Sequence, residues 1–283
     1  MDIPVFTQLA VKQFLPQRKQ HSHKGANGKV VIVGGSLEYH GSPLLSGLAA
    51  LRSGCDMVFL IVPESIHMVI RAFLPDFIVR TYPGEALSMK SISPILESVD
   101  ECDVLLLGPG LGHRKETRDS AIEILTHVTK PIVIDAQAIL PYSAYKTFKS
   151  PGVIFTPHVN ELERLMDNFL KKETLEENLQ AFCRLYNYNV LLKGYQDLIV
   201  TQDGKLSKNE TGNPGMTCGG TGDVLAGVVA GLLSQKLNVF EAMHLGAYVV
   251  GKAGDMLYSE KGYGYIAHEV ADRVANALFT LYE

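Results

Sequence analysis

Lys29-Val30-Val31-Ile32-Val33-Gly34-Gly35-Ser36 sets the pattern of the chain: a short β-branched run that stops in small residues. A run with no polar alternation belongs to a strand buried on both faces. The same form recurs at residues 57–62, 104–107, 132–134, 153–155 and 190–192. Helix-like stretches at 44–53, 118–126, 160–169 and 174–186 lie between these runs, so strands and helices alternate. Beyond Asp223 the pattern turns nearly all helical. The order predicts an α/β fold, a mostly parallel central sheet with helices on both faces.

With 46% hydrophobic and 20% charged residues, the chain can build a sizeable core and does not read as disordered. Its 283 residues suit one catalytic domain spanning 1–283, with about 1–28 as an N-terminal arm. The polar stretch 17–29 reads as a mobile arm or loop. His21 and His23 within it read as solvated surface, since imidazole needs further ligands to hold a metal. A net charge of −4 supplies no basic field for a polyanion, so nucleic acid is not an expected partner. Cys55, Cys102, Cys183 and Cys218 are scattered without a CxxC pair, which suggests neither zinc nor a disulfide framework. The start Met1-Asp2-Ile3-Pro4 lacks an export pattern, and no apolar run approaches the roughly 20 residues of a membrane helix. A cytoplasmic protein is the expectation.

In open parallel sheets ligands collect beyond the carboxyl ends of the strands. Five such ends carry small or polar tips: Val33-Gly34-Gly35-Ser36, Gly108-Pro109-Gly110-Leu111-Gly112, Asp135-Ala136-Gln137-Ala138, Thr156-Pro157-His158-Val159-Asn160-Glu161 and Leu192-Lys193-Gly194-Tyr195-Gln196-Asp197. Neither GxGxxG nor GxxxxGK[ST] is present, so a nucleotide has to be held another way. The remaining candidate is Gly212-Asn213-Pro214-Gly215-Met216-Thr217-Cys218-Gly219-Gly220-Thr221-Gly222-Asp223, followed by a helix of small residues. Its glycines let the backbone approach an anion, and the helix start aims free N–H groups at the same point. Asp223 would stand there as a base for a substrate hydroxyl. The plainer reading is a helix cap worth about 1 kcal/mol, but a cap does not require the glycines before it or the small-residue helix after it.

Gly220-Thr221-Gly222-Asp223 resembles the GxGD element of the ribokinase-like superfamily. Within that group the chain is most similar to the NAD(P)H-hydrate dehydratases. The resemblance runs from about His23 to near the C-terminus, through His23-Lys24-Gly25, Val31-Ile32-Val33-Gly34-Gly35-Ser36, Gly41-Ser42-Pro43, Ala49-Ala50-Leu51-Arg52-Ser53-Gly54, Gly108-Pro109-Gly110-Leu111-Gly112, Thr156-Pro157-His158, Lys193-Gly194 and Gly212-Asn213-Pro214-Gly215-Met216. It implies dehydration of the S epimer of NADHX or NADPHX, with ADP as the expected phosphoryl donor and ATP as the alternative, and Mg2+ riding on the phosphates. It assigns catalysis to Gly220, Thr221, Gly222 and Asp223. Hydrated-cofactor contacts fall on Ser42, Gly110, Gly112, His158, Asn160, Glu161 and Asp223. Nucleotide contacts fall on Lys193, Gly194, Tyr195, Gln196, Asp197 and residues 219–222, although Lys193 could instead pack its stem at the strand end. No protein metal ligand is assigned, and a homotetramer is implied.

Two positions depart from the family pattern: Gln137 replaces a second aspartate, and Ala267-His268-Glu269 stands where a small hydroxyl residue and an aspartate are usual. The family's epimerase domain has no room in these 283 residues, so a separate NAD(P)HX epimerase is the expected upstream partner. Two other functions share parts of this reading. One is a ribokinase-like kinase for a small alcohol such as a thiazole or pyrimidine precursor. The other is a non-catalytic nucleotide sensor, against which an intact Asp223 argues.

Overall fold

A computed structural model describes residues 3–145, 147–167, 169 and 173–283. The apolar runs become β1 (Lys29–Val33), β2 (Met57–Pro63), β4 (Val104–Leu107), β5 (Ile132–Ile134), β6 (Val153–Phe155) and β7 (Asn189–Leu192). Three strands are additional: β3 (Ile78–Tyr82), β8 (Asp197–Val200) and β9 (Leu206–Asn209). The sheet order is β3-β2-β1-β4-β5-β6-β7-β8-β9; β3 through β7 pair parallel, whereas β8 pairs antiparallel with both β7 and β9. In β9 the buried residues Ser207 and Asn209 alternate with the less buried Leu206 and Lys208. Polar side chains on an edge strand leave no apolar run to detect in sequence.

Alternation within β1 divides the core in two. Val30 and Ile32 pack on one face with α1 (Gln8–Lys12), α2 (Gly41–Arg52), α3 (His67–Phe73), α8 (Thr221–Ser234), α9 (Val239–Lys261) and α10 (Ala267–Tyr282). Val31 and Val33 pack on the other with α4 (Ile92–Asp100), α5 (Lys115–His127), α6 (Val159–Met166) and α7 (Leu175–Tyr186). The helix expected over 160–169 is therefore α6, ending at Met166; residue 168 lies outside the described residues. Glycine sets the spacing between α2 and α8. A Cβ at Gly227 would come within 2.2 Å of the Ser46 carbonyl oxygen, and one at Gly231 within 2.1 Å of Ser53 Oγ.

The residues before the polar stretch pack on the body of the protein. Phe6 N donates to Lys208 O at 3.1 Å and Lys208 N to Pro4 O at 2.9 Å, so the segment covers the β9 edge. Phe6 and Phe14 pack on Phe240 at centroid distances of 5.5 and 5.9 Å. Further along, Asn27 donates to the Asp56 carboxylate at 2.9 Å from its backbone and 3.1 Å from its amide. The polar residues of 17–29 supply hydrogen bonds to the body of the protein, a use that composition does not distinguish from solvation.

Candidate active site

The five strand ends with small or polar tips belong to β1, β4, β5, β6 and β7, consecutive neighbours in the sheet. The strand order reverses between β1 and β4, the switch point where open α/β sheets form a crevice. The tips are pressed together there. Gly35 N donates to Pro109 O at 2.8 Å, and a Cβ at Gly108, whose φ is +134°, would fall 1.8 Å from Asp135 O. Gly110, with φ +69°, sits against Tyr39 O and Ser42 Cβ.

The N-termini of α2 and α8 converge on this crevice. Gly220 precedes α8 with φ +100°, and a side chain there would strike Leu45. Gly219 and Gly222 differ in kind. No atom lies within 4 Å of a Cβ built at Gly219, and at Gly222 the neighbour is the flexible tip of Lys193, 3.1 Å away. The protein's own packing does not demand either glycine, so both leave bare backbone toward open space. Thr221 has a different part: its hydroxyl donates to Met216 O at 2.7 Å and Cys218 O at 3.1 Å, fixing the turn that enters the helix. Upstream, Asn213 is gripped by Asp255 at 3.0 Å and by the Tyr265 hydroxyl at 2.7 Å.

A charged cluster surrounds the start of α8. Lys193 Nζ lies 2.9 Å from Asp135 Oδ1 and 3.9 Å from Glu161 Oε2, with 2% and 11% of those side chains exposed. Thr156 donates to the same Asp135 oxygen at 2.7 Å. Burial alone would lower the Lys193 pKa, but Asp135 and Glu161 together outweigh it and hold the ammonium above its ordinary value. For Asp223, burial and then the Asp135 charge push the carboxyl up to about 7, with Glu161 adding to the rise; the Ser42 hydroxyl and Lys193 act against it. A carboxyl poised near neutrality, beside free helix N–H groups and a lysine, can take a proton from a hydroxyl next to an anion.

Ser42, Glu161, Lys193, Gly222 and Asp223 are thus brought together. A cleft of about 560 Å³ opens beside them, lined by Lys193, Gly194, Asp197, Asn213, Thr221 and Gly222 among others. Burial raises the Asp197 pKa, while Asn209 and the Gly194 N–H hold the carboxylate at 3.0 and 3.2 Å. Tyr195 also borders this cleft but is 94% exposed, and Gln196 turns to Glu210 at 2.8 Å. Gly112 lines a second cleft of about 400 Å³ with Ser36, Glu38, Glu85 and Arg114. His158 and Asn160 build the start of α6: Asn160 N donates to His158 Nδ1 at 3.2 Å, and Glu161 accepts from His158 N at 2.9 Å.

Asp135, Thr156, Asp255 and Tyr265 were not singled out as site residues. The partners that explain them are remote in sequence, 58 residues away for Asp135 and Lys193 and 52 for Tyr265 and Asn213. Of the two departures, Gln137 has a buried Oε1 with no hydrogen-bond partner among the described residues. Glu269 accepts from Ile266 N at 3.1 Å and pairs with Lys261, so it caps α10. Among the described residues no group of three or more His, Cys, Asp or Glu is arranged to hold a metal ion, and no helix is long and apolar enough to cross a membrane.

Comparison with known proteins agrees with this architecture. A bifunctional NAD(P)H-hydrate repair enzyme Nnr from Methanothermobacter thermautotrophicus is 38% identical over 277 residues, covering 93% of this chain and 52% of the relative. The chain spans about half the length of the curated relatives it matches. The structure of an ADP/ATP-dependent NAD(P)H-hydrate dehydratase from Bacillus subtilis, co-crystallised with ATP/Mg2+, superposes with a TM-score of 0.84 at 26% identity, covering 99% of each chain. A ribokinase-like superfamily protein from Enterococcus faecalis gives 0.86 at 26% identity, covering 98% of this chain and 96% of its own. Residues 30–276 match the family model described as NAD(P)H-hydrate dehydratase, and the chain belongs to that family.

Proposed function

We propose that this chain dehydrates the S epimer of NADHX or NADPHX to NAD(P)H at the expense of ADP or ATP. The observation that carries the proposal is Asp223, a base with its pKa near 7 at the glycine-lined start of α8, beside Lys193. Asp223 takes the proton of the ring hydroxyl as that oxygen attacks the terminal phosphorus of the nucleotide. The N–H groups of residues 219–222 neutralise charge on the transferring phosphoryl group, and Lys193 faces the same space. Phosphate then departs with the C–O bonding pair while the ring nitrogen donates its lone pair. Loss of a proton from the neighbouring carbon restores the ring double bond. The products are NAD(P)H, phosphate, and AMP from ADP or ADP from ATP.

Ser42, Gly110, Gly112, His158, Asn160 and Glu161 are placed by this reading on the hydrated cofactor, and residues 193–197 on the nucleotide. Mg2+ supplies charge neutralisation on the phosphates. The donor set suits an ion carried by phosphate oxygens and water, because the chain presents no cage of its own among the described residues. The B. subtilis relative co-crystallised with ATP/Mg2+ supports the same donor. A cytoplasmic homotetramer, one catalytic domain per chain, supplied with the S epimer by an epimerase, completes the proposal.

The deciding experiment incubates the protein with NADHX and either ADP or ATP and follows the near-ultraviolet absorbance of the reduced nicotinamide. Recovery with one or both nucleotides is expected. No recovery with either overturns the reading, and an intact phosphate ester of a small alcohol would identify a kinase instead.

A further inference from the structure

We propose that Asp135 is the positioning residue of this site: through Lys193 it aims a cation at the glycine-lined start of α8, and Thr156 locks it in that orientation. The geometry is specific. Asp135 Oδ1 accepts from both Lys193 Nζ at 2.9 Å and Thr156 Oγ1 at 2.7 Å. The carboxylate is 2% exposed and Thr156 is fully buried, so water does not compete for either bond. A lysine stem is flexible, and one ion pair would leave its head free to swing. Here Glu161 Oε2 on α6 draws it from a second side at 3.9 Å, and the head comes to rest beside Gly222, 3.1 Å from where a Cβ would stand.

A buried carboxylate paired with a single lysine would be a structural device and nothing more. Two features argue for a part in the reaction. First, the pair spans β5 and β7, across β6, and Thr156 at the end of β6 completes the row, so three adjacent strand tips are spent on orienting one ammonium. Second, Asp135 acts on Asp223 as well. The groups that bear on the Asp223 carboxyl are Asp135 at the end of β5, Glu161 on α6, Lys193 at the end of β7 and the Ser42 hydroxyl on α2; Asp135 is the strongest of the charges. One carboxylate therefore places the cation for the phosphate and tunes the base for the hydroxyl.

This inference rests on the nucleotide-dependent reading of the site, and its test does not require turnover of the hydrate. Asp135→Asn keeps an oxygen for Thr156 and removes the charge. Titration with ADP or ATP and Mg2+ should show nucleotide affinity weakened by about tenfold, from loss of Lys193 orientation. The pH dependence of thermal stability supplies a second readout. The component that disappears in Asp223→Asn should, in Asp135→Asn, move to lower pH, because burial and Glu161 still raise the Asp223 carboxyl but the strongest of the charges that add to them is gone. Thr156→Val, which leaves both charges in place, should weaken nucleotide binding while leaving that component where it was. A merely structural Asp135 would lower stability in both variants without changing nucleotide affinity or the position of the pH component, and that result overturns the proposal. If Asp135→Asn does not fold, unchanged nucleotide affinity in Thr156→Val overturns it alone. A protein that binds nucleotide as expected but restores no NADH would defeat the proposed reaction and leave this inference standing.

Discussion

At the scale of single residues, Asp223 carries opposed demands. Its folded pKa is about 7 against an ordinary 3.8, so between those values the folded chain holds a proton that the unfolded chain has lost. Stability therefore falls as pH rises from about 4 to about 7, and the cost persists above 7. Asp223→Asn should stabilise the protein at pH 8 by on the order of 3 kcal/mol and do nothing at pH 3.5; denaturant unfolding at the two pH values measures it. Asp223→Ala should lower turnover by at least ~10² with nucleotide binding largely retained. A sensor would show no turnover to lose. The sequence exposed Asp223 because its helix start carries more glycine than a cap needs. It concealed the setting of its pKa, which comes first from burial and then from Asp135 and Glu161 in remote segments.

At the scale of elements, two classes of glycine flank the same helix. Gly227 and Gly231 let α8 lie against α2, whereas Gly219 and Gly222 touch little of the protein. Gly227→Ala should cost at least about 2 kcal/mol, because the backbone of α2 has to move. Gly219→Ala should leave the melting temperature nearly unchanged and raise the nucleotide KM by roughly tenfold, since its Cβ would occupy the approach to the N–H groups. Melting curves and initial rates on the two variants separate packing from ligand access. The parallel strands buried on both faces were legible because such burial writes an unbroken apolar run, and β1, β4, β5 and β6 match their expected bounds. β3, β8 and β9 were not. Ile78-Val79-Arg80-Thr81-Tyr82 carries an arginine paired with Glu101, and Leu206-Ser207-Lys208-Asn209 is half polar, so each reads locally as surface.

At the scale of the whole molecule, strand ends scattered between Gly34 and Lys193 form one row because the order β1-β4-β5-β6-β7 makes them neighbours. Candidate residues could be named from sequence, but their mutual distances depend on the register of the sheet. The seating of the N-terminal segment was not legible for the same reason: its partners, β9, α9 and α10, come late in the sequence. Phe6→Ala combined with Phe14→Ala should lower stability by about 3 kcal/mol and expose the β9 edge to association; calorimetry and light scattering check the two effects. Tyr282 donates to Pro16 O across 266 residues of sequence. During synthesis Phe6 and Phe14 leave the ribosome well before Phe240 on α9, so these rings must wait for a later helix before they find their places. A nascent chain arrested before α9 would hold those rings exposed to chaperones, so closure of this seam is a late event in maturation.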